Sequence, residues 1–291
     1  MVTKPDKDLT QEEASQLAEQ LKKELKAGAF KNIDIVKIKK IITGLSDTRG
    51  LLRRTFSESL GLIGNEALPG LIESLSSSPN VIRRRASAKA LKLIGNPKAL
   101  PTLISSLIED KDPVVQGSCA GAIAIFGEEA VNYLMTVFDN TSTSPMQRGL
   151  ATWALSYIGS KGAGNLKKAA QSDNPLIRTA AICALEDLIS TDYDQEAIDL
   201  ILEAVTDPIS EVRREATRLI IYIKDKTLRK NLLIEKLNDD DIDVRKITIF
   251  TLIKLNDYGV IDNLKNQITK ERNESMIDIL NLAISKIKIS N

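Results

Sequence analysis

The sequence predicts an all-α protein, an α-solenoid in which about eight two-helix units stack into a right-handed superhelix behind an N-terminal capping helix. Three observations predict it. A pattern of Arg, five residues, a small residue, Leu, two residues, Ile and Gly returns in one register along the chain. An apolar stripe of helical spacing precedes each copy. Proline and glycine fall at matching places between them, as turn and stop signals.

Each element follows from its residues. Thr10-Gln-Glu-Glu13 is a capping-box start for a helix running to about Ala27, with Glu12, Glu19, Lys22 and Lys23 on its outer face. The anchor of the recurring pattern then stands at Arg53, Arg84, Gln116, Arg148, Arg178, Arg213 and Arg245, in steps of 31, 32, 32, 30, 35 and 32 residues. Ahead of the anchors come Ile38-Ile41-Ile42-Leu45, Leu68-Leu71-Ile72-Leu75 and Leu100-Leu103-Ile104-Leu107. Val131-Leu134-Met135-Phe138 and Ile198-Ile201-Leu202-Val205 repeat the spacing, and each set forms one apolar face of a helix. The stretch around Leu166 is poorer in apolar residues and predicts a thin or irregular helix. Asp112-Pro113, Pro145, Asn174-Pro175 and Asp207-Pro208 mark the start of the second helix of a unit. Gly64, Gly95, Gly127 and Gly159 mark its end. The 35-residue step predicts an insertion loop over Ser190–Glu196. The organisation expected is a capping region over 1–37, a repeat array over 38–257 and a divergent capping repeat over 258–291.

Composition narrows the function. Apolar residues make up 43%, enough for a continuous core, and aromatics only 4%. Forty basic against thirty-nine acidic residues leave a net charge of +1, which argues against a dedicated nucleic-acid binder. With no histidine, His-based triads, bases and metal ligands are excluded together. Cys119 and Cys183 show no CxxC spacing, so no zinc site is expected, and isolated thiols fit a reducing, cytoplasmic compartment. The N-terminal residues are polar, unlike a signal peptide, and no stretch approaches the ~18 apolar residues of a membrane span. No phosphate-binding or dinucleotide motif is present.

The anchor arginines suit a structural role, bonding carbonyls and carboxylates of the adjoining unit through a planar five-donor fork. The second helices line the concave side of such stacks. Counting the anchor as zero, positions one, five and eight point outward. In order they are Arg54, Glu58, Gly61; Arg85, Lys89, Lys92; Gly117, Gly121, Ala124; Gly149, Trp153, Ser156; Thr179, Cys183, Glu186; then Arg214, Arg218, Lys246 and Phe250. The centre of this groove is small and partly apolar, with basic residues on either side. Candidate binding residues are Arg85, Lys89, Gly121, Trp153, Tyr157, Cys183 and Arg214. Trp153, the single tryptophan, is either an aromatic anchor beside the gap or packed against the next unit. Cys119 reads as a small core residue. Cys183 without a histidine is a weak nucleophile, and Glu58, Glu186 and Asp187 form no recognisable catalytic pair. Catalytic residues are not identified.

The units RGLLRRTFSESLGLIGNEALPGLIESL and IRRRASAKALKLIGNPKALPTLISSLIED resemble the short HEAT-like repeats of the phycobilisome lyases. MQRGLATWALSYIG and the repeat count are similar to the E/F-type bilin lyases of cyanobacteria, on their phycoerythrin-associated branch. The likeness spans about residues 38–255. It implies attachment of an open-chain tetrapyrrole, a phycobilin such as phycoerythrobilin, by a thioether bond to a cysteine of a phycobiliprotein subunit. Relatives remove bilins or act as chaperones. The bilin is then a substrate, not a resident cofactor, and the partners are the phycobiliprotein subunit and a second lyase subunit. The acceptor thiol belongs to the partner. Arg85, Lys89 or Arg214 would meet the bilin propionates, with Tyr157 or a carboxylate handling the proton. Two other readings compete: a non-catalytic repeat scaffold that binds a protein through the groove, and a HEAT-like DNA glycosylase, which the neutral charge weakens.

Overall fold

The computed structural model describes residues 8–27 and 34–287. Most of the polar N-terminal stretch, residues 28–33 and residues 288–291 lie outside them. The described residues form helices and turns only. Helix α1 (Gln11–Ala27) opens with the expected capping box: the Thr10 N–H donates to Glu13 at 2.8 Å, and the Glu13 N–H donates to Thr10 Oγ1 at 3.2 Å.

Eight helix pairs follow among the described residues. The chain divides into two compact units, one ending at Ile158 and one starting at Gly159. The first unit holds α2 (Ile35–Gly44) with α3 (Gly50–Ile63) and α4 (Leu68–Ser77) with α5 (Val81–Ile94), then α6 (Leu100–Glu109) with α7 (Pro113–Ile123) and α8 (Glu128–Asp139) with α9 (Pro145–Ile158). The second holds α10 (Ala163–Ala169) with α11 (Pro175–Ala184) and α12 (Gln195–Ala204) with α13 (Ser210–Leu219), then α14 (Lys226–Lys236) with α15 (Ile242–Leu255) and α16 (Ile261–Lys270) with α17 (Glu274–Lys286). In the first unit α2, α4, α6 and α8 pack in sequence, as do α3, α5, α7 and α9, and α1 covers α3. In the second, α11, α13, α15 and α17 form the equivalent series. Each stripe is buried by the next pair: Ile41, Leu45, Leu71, Leu75, Leu103 and Leu107 are fully enclosed. Each such side chain contributes about 1.5–3 kcal/mol of transfer free energy.

The anchor row is structural. Arg53, Arg84, Arg178, Arg213 and Arg245 each donate Nη1 to the backbone carbonyl six residues earlier, at 2.6–3.0 Å, and Gln116 does so through Nε2 at 2.7 Å. Arg148 reaches the Thr143 carbonyl at 2.7 Å. Four anchors then grip a carboxylate of the following pair: Arg84 with Asp110, Arg178 with Asp207, Arg213 with Asp239 and Arg245 with Glu271. Each of those carboxylates also accepts the backbone N–H two residues on, which fixes the turn. One arginine therefore ties its own turn to its neighbour's. Among the described residues Arg53, Gln116 and Arg148 form no such pair in this ladder, and the neutral Gln116 amide has no charge to offer one.

The stop signals behave as expected. Gly64, Gly95, Gly127 and Gly159 all have positive φ, and Asn256 takes the same place at the end of α15 with φ 51. Around Leu166 the helix is short, seven residues. The insertion differs from expectation: the extra residues form a π-helical turn, Leu188–Asp192, closed by Tyr193 with φ 51, and α12 starts at Gln195. Leu188 and Ile189 are buried, so this segment keeps its apolar side in the core and widens the helix instead of leaving it as a loop.

Candidate functional site

Residues one, five and nine after each anchor share one face of the second helix, because positions four apart stack along a helix. Position nine joins one and five on that face, and it was not among the outward positions expected; of position eight, Lys92 and Ser156 are exposed. Position eight is mixed, and its Ala124 is buried. Position nine carries Leu62 on α3, Leu93 on α5, Ile125 just after α7 and Tyr157 on α9, respectively 63%, 54%, 38% and 61% exposed. Leu62, Leu93 and Ile125 are not among the candidates visible in the sequence, because an apolar residue next to the Leu and Ile of the recurring pattern reads as core. The signal that could have found them is their spacing from Glu58, Lys89 and Gly121, four residues earlier.

In the first unit the face runs in three columns. Helix α5 presents Arg85, Lys89 and Leu93. The α7 segment presents Gly117, Gly121 and Ile125, and α9 presents Gly149, Trp153 and Tyr157. Space above Gly121 and Gly149 is open: a Cβ at either would meet nothing within 4 Å. Above Gly61 the opposite holds, since a Cβ there would stand 2.8 Å from Leu93 Cβ. The bare strip therefore belongs to α7 and the N-terminal half of α9. Trp153 is half exposed, so the packed alternative does not hold, and its ring lies 5.8 Å from that of Tyr157, tilted by 32°. Among the described residues neither Arg85 nor Lys89 forms an ion pair, whereas Arg54 is held by Glu58 at 2.7 Å. Five of the seven candidates, Arg85, Lys89, Gly121, Trp153 and Tyr157, thus share one surface. That surface combines a flat floor, an aromatic wall and two cations whose charge is not spent on a carboxylate.

Cys183 and Arg214 belong to the second unit. There Arg218, not Arg214, reaches the thiol, with Nη2 3.7 Å from Cys183 Sγ. Arg214 pairs with Glu215 at 3.2 Å. Glu186 accepts from Arg218 Nη1 and from the Tyr222 hydroxyl, both at 2.6 Å. Burial pushes the Glu186 carboxyl up, but these two donors outweigh it and hold it below the usual carboxylate range. The same hydrogen bond, with burial, raises the Tyr222 phenol. Glu186 is thus a weak base. Asp187 accepts the Ser160 N–H at 3.1 Å. Cys119 is buried, and its thiol is pushed up to about 12, which leaves it inert. Among the described residues no cluster of His, Cys, Asp or Glu could hold a metal ion, and no helix is long and apolar enough to cross a membrane.

The HEAT-repeat family profile matches residues 68–151 and 140–221. The chain is 42% identical over 279 residues to the bilin biosynthesis protein MpeU of Synechococcus sp. (strain WH8020), covering 96% of this chain and 94% of that protein. The chain belongs to the MpeU family of HEAT-repeat proteins. Among solved structures, Kap121p matches with a TM-score of 0.50 at 12% identity, over 96% of this chain and 42% of that one. That likeness concerns the fold alone. The complex of CpcE and CpcF of phycocyanin lyase from Nostoc sp. PCC7120 matches with a TM-score of 0.33 at 22% identity, over 64% of this chain and 99% of that one.

Proposed function

We propose that this member of the MpeU family is a bilin lyase. It holds an open-chain tetrapyrrole, such as phycoerythrobilin, against the face of α5, α7 and α9 while a cysteine of a phycobiliprotein subunit adds to it. The observation that carries the reading is 42% identity, over nearly the whole chain, to a bilin biosynthesis protein. The first unit's surface supports it. The strip over Gly121 and Gly149 admits a flat conjugated molecule, and Trp153 and Tyr157 offer rings beside it. Arg85 and Lys89 can pair with the two propionates, and a guanidinium against a carboxylate fixes orientation as well as affinity.

The chemistry asks little of the protein beyond placement. The thiol S–H adds across a carbon–carbon double bond of the pigment. One C–S bond forms, the proton passes to the neighbouring carbon, and nothing is oxidised or reduced. Holding the two reactants in one geometry converts an encounter into an internal step and selects one carbon and one face. The acceptor thiol is the subunit's. The proposed site uses first-unit residues, because Glu215 already engages Arg214 and Cys183 lies beside the Arg218 guanidinium.

The test is co-expression with phycoerythrobilin-forming enzymes and a phycobiliprotein subunit, followed by a denaturing gel viewed for bilin fluorescence. Bilin remaining on the subunit, and lost when the subunit's acceptor cysteine is replaced by alanine, is the expected result. A colourless subunit would overturn the lyase reading. If that subunit still co-purified with the chain, the non-catalytic scaffold would be the better account.

A further inference from the structure

Position nine of the second helices raises a separate question: what covers its apolar row. Single exposed leucines are ordinary, but here Leu62, Leu93, Ile125 and Tyr157 occupy the same place in four successive pairs of one unit. We propose that this row is the docking ridge for one amphipathic α-helix of the protein partner, lying across α3, α5, α7 and α9 with acidic residues along its flank. The inference rests on the lyase reading only in taking that partner to be the phycobiliprotein subunit.

Three observations fix the kind of occupant. The first is reach. Neighbouring packed helices stand about 8–10 Å apart, so three steps cover about 24–30 Å, the length of a 16–20-residue helix. The second is relief. Over Gly61 the space is filled by Leu93, so the α3–α5 end is a ridge with no slot for a flat pigment, and ridges pack into the grooves of a helix. The third is charge. With Arg85 and Lys89 given to the propionates, the same face of α3 and α5 still carries Arg54 and Lys92 against one carboxylate, Glu58. A helix with an apolar stripe and acidic flanks complements both features, whereas a basic helix would meet like charge. Docked there, the helix lies beside the bare strip over Gly121, close enough to bring its own chain's thiol to a bound pigment.

The experiment separates the ridge from the bilin site. Binding of a bilin-free phycoerythrin α subunit, its acceptor cysteine replaced by alanine, is measured for the wild-type chain and for Leu62→Asp, Leu93→Asp and Lys92→Glu. Retention of free phycoerythrobilin by each chain alone is measured in parallel. Because Leu93 leans on Gly61, Leu62→Asp and Lys92→Glu guard against a folding artefact, with thermal melts as the control. The expected result is at least tenfold weaker subunit binding in each Asp variant, weaker binding in Lys92→Glu, and affinity that falls between 50 and 500 mM salt, with bilin retention unchanged in Leu62→Asp, whose side chain stands on α3 outside the pigment face. Wild-type subunit affinity in Leu62→Asp, or no subunit binding by the wild-type chain, overturns the ridge. Subunit binding that depends on the ridge in a chain that retains no bilin keeps the ridge and removes the lyase reading.

Discussion

Arg213 and Asp239 meet through two parallel hydrogen bonds, Nε to Oδ2 at 2.9 Å and Nη2 to Oδ1 at 2.8 Å, while the third arm of the guanidinium holds the Asp207 carbonyl at 2.9 Å. Asp207 itself grips Arg178, and the Asp239 carbonyl accepts from Arg245. The second unit is laced from α11 to α17 by this alternation of side-chain and main-chain partners. Asp239→Ala leaves a largely buried guanidinium without its counter-charge, so it should cost about 3 kcal/mol. Arg213→Ala should cost a similar amount, and the double variant should cost much less than the sum. Urea unfolding measures all three; additive losses would mean that the pair is screened and works independently.

The same ladder sets the acid limit of the fold. At Asp110, Asp239 and Glu271 burial raises the carboxyl pKa, but the arginine and backbone hydrogen bonds prevail and hold it low. A folded value below the unfolded one means that the unfolded chain binds more protons as pH drops. The stabilisation is therefore complete above about pH 4, the unfolded carboxylate range, and is lost as pH falls from there through the folded values. Thermal melts at pH 7, 5 and 3 should show little change in the first interval and a steep loss in the second. Asp239→Asn should flatten that loss; an unchanged slope would remove the ladder as its source.

Much of this was legible in the sequence. The period of the anchors, the buried stripes, the stop row and the thin α10 all follow from local spacing, which a linear reading sees directly. The surface was legible only in part. Gly121 and Trp153 stood out because a missing side chain and a lone indole are unusual at outward positions. Leu62 and Leu93 did not, because burial depends on which neighbours cover a side chain and not on its polarity. Long-range polar pairs were equally hidden: Tyr222 and Glu186 are 36 residues apart, and nothing local to either announces the bond.

That bond gives a spectroscopic prediction. The Tyr222 phenol is raised because its proton is shared with an anion, and secondarily because it is partly buried. Glu186→Gln removes the anion and leaves a neutral acceptor, so the Tyr222 pKa should fall toward the ordinary tyrosine value of about 10. With five tyrosines in the chain, ring-carbon NMR assigned by Tyr222→Phe is the suitable readout. An unmoved titration would show that burial alone sets the shift.

Two glycines should respond oppositely to the same change. Gly121 sits within α7 with ordinary helical backbone, and an added methyl would touch nothing within 4 Å. Gly121→Ala should therefore stabilise the fold by about 0.5–1 kcal/mol through helix propensity. Gly159 has φ +49, and a Cβ there would fall 2.6 Å from Asp187 Oδ2, the oxygen that accepts the Ser160 N–H. Gly159→Ala combines a left-handed backbone with displacement of that carboxylate and should cost about 2 kcal/mol or more. Filling the strip outright, Gly121→Phe should leave the melting temperature near wild type yet lower phycoerythrobilin retention at least tenfold, as should Trp153→Ala. If both retain bilin normally, the pigment does not lie over α7, and the open strip has another use.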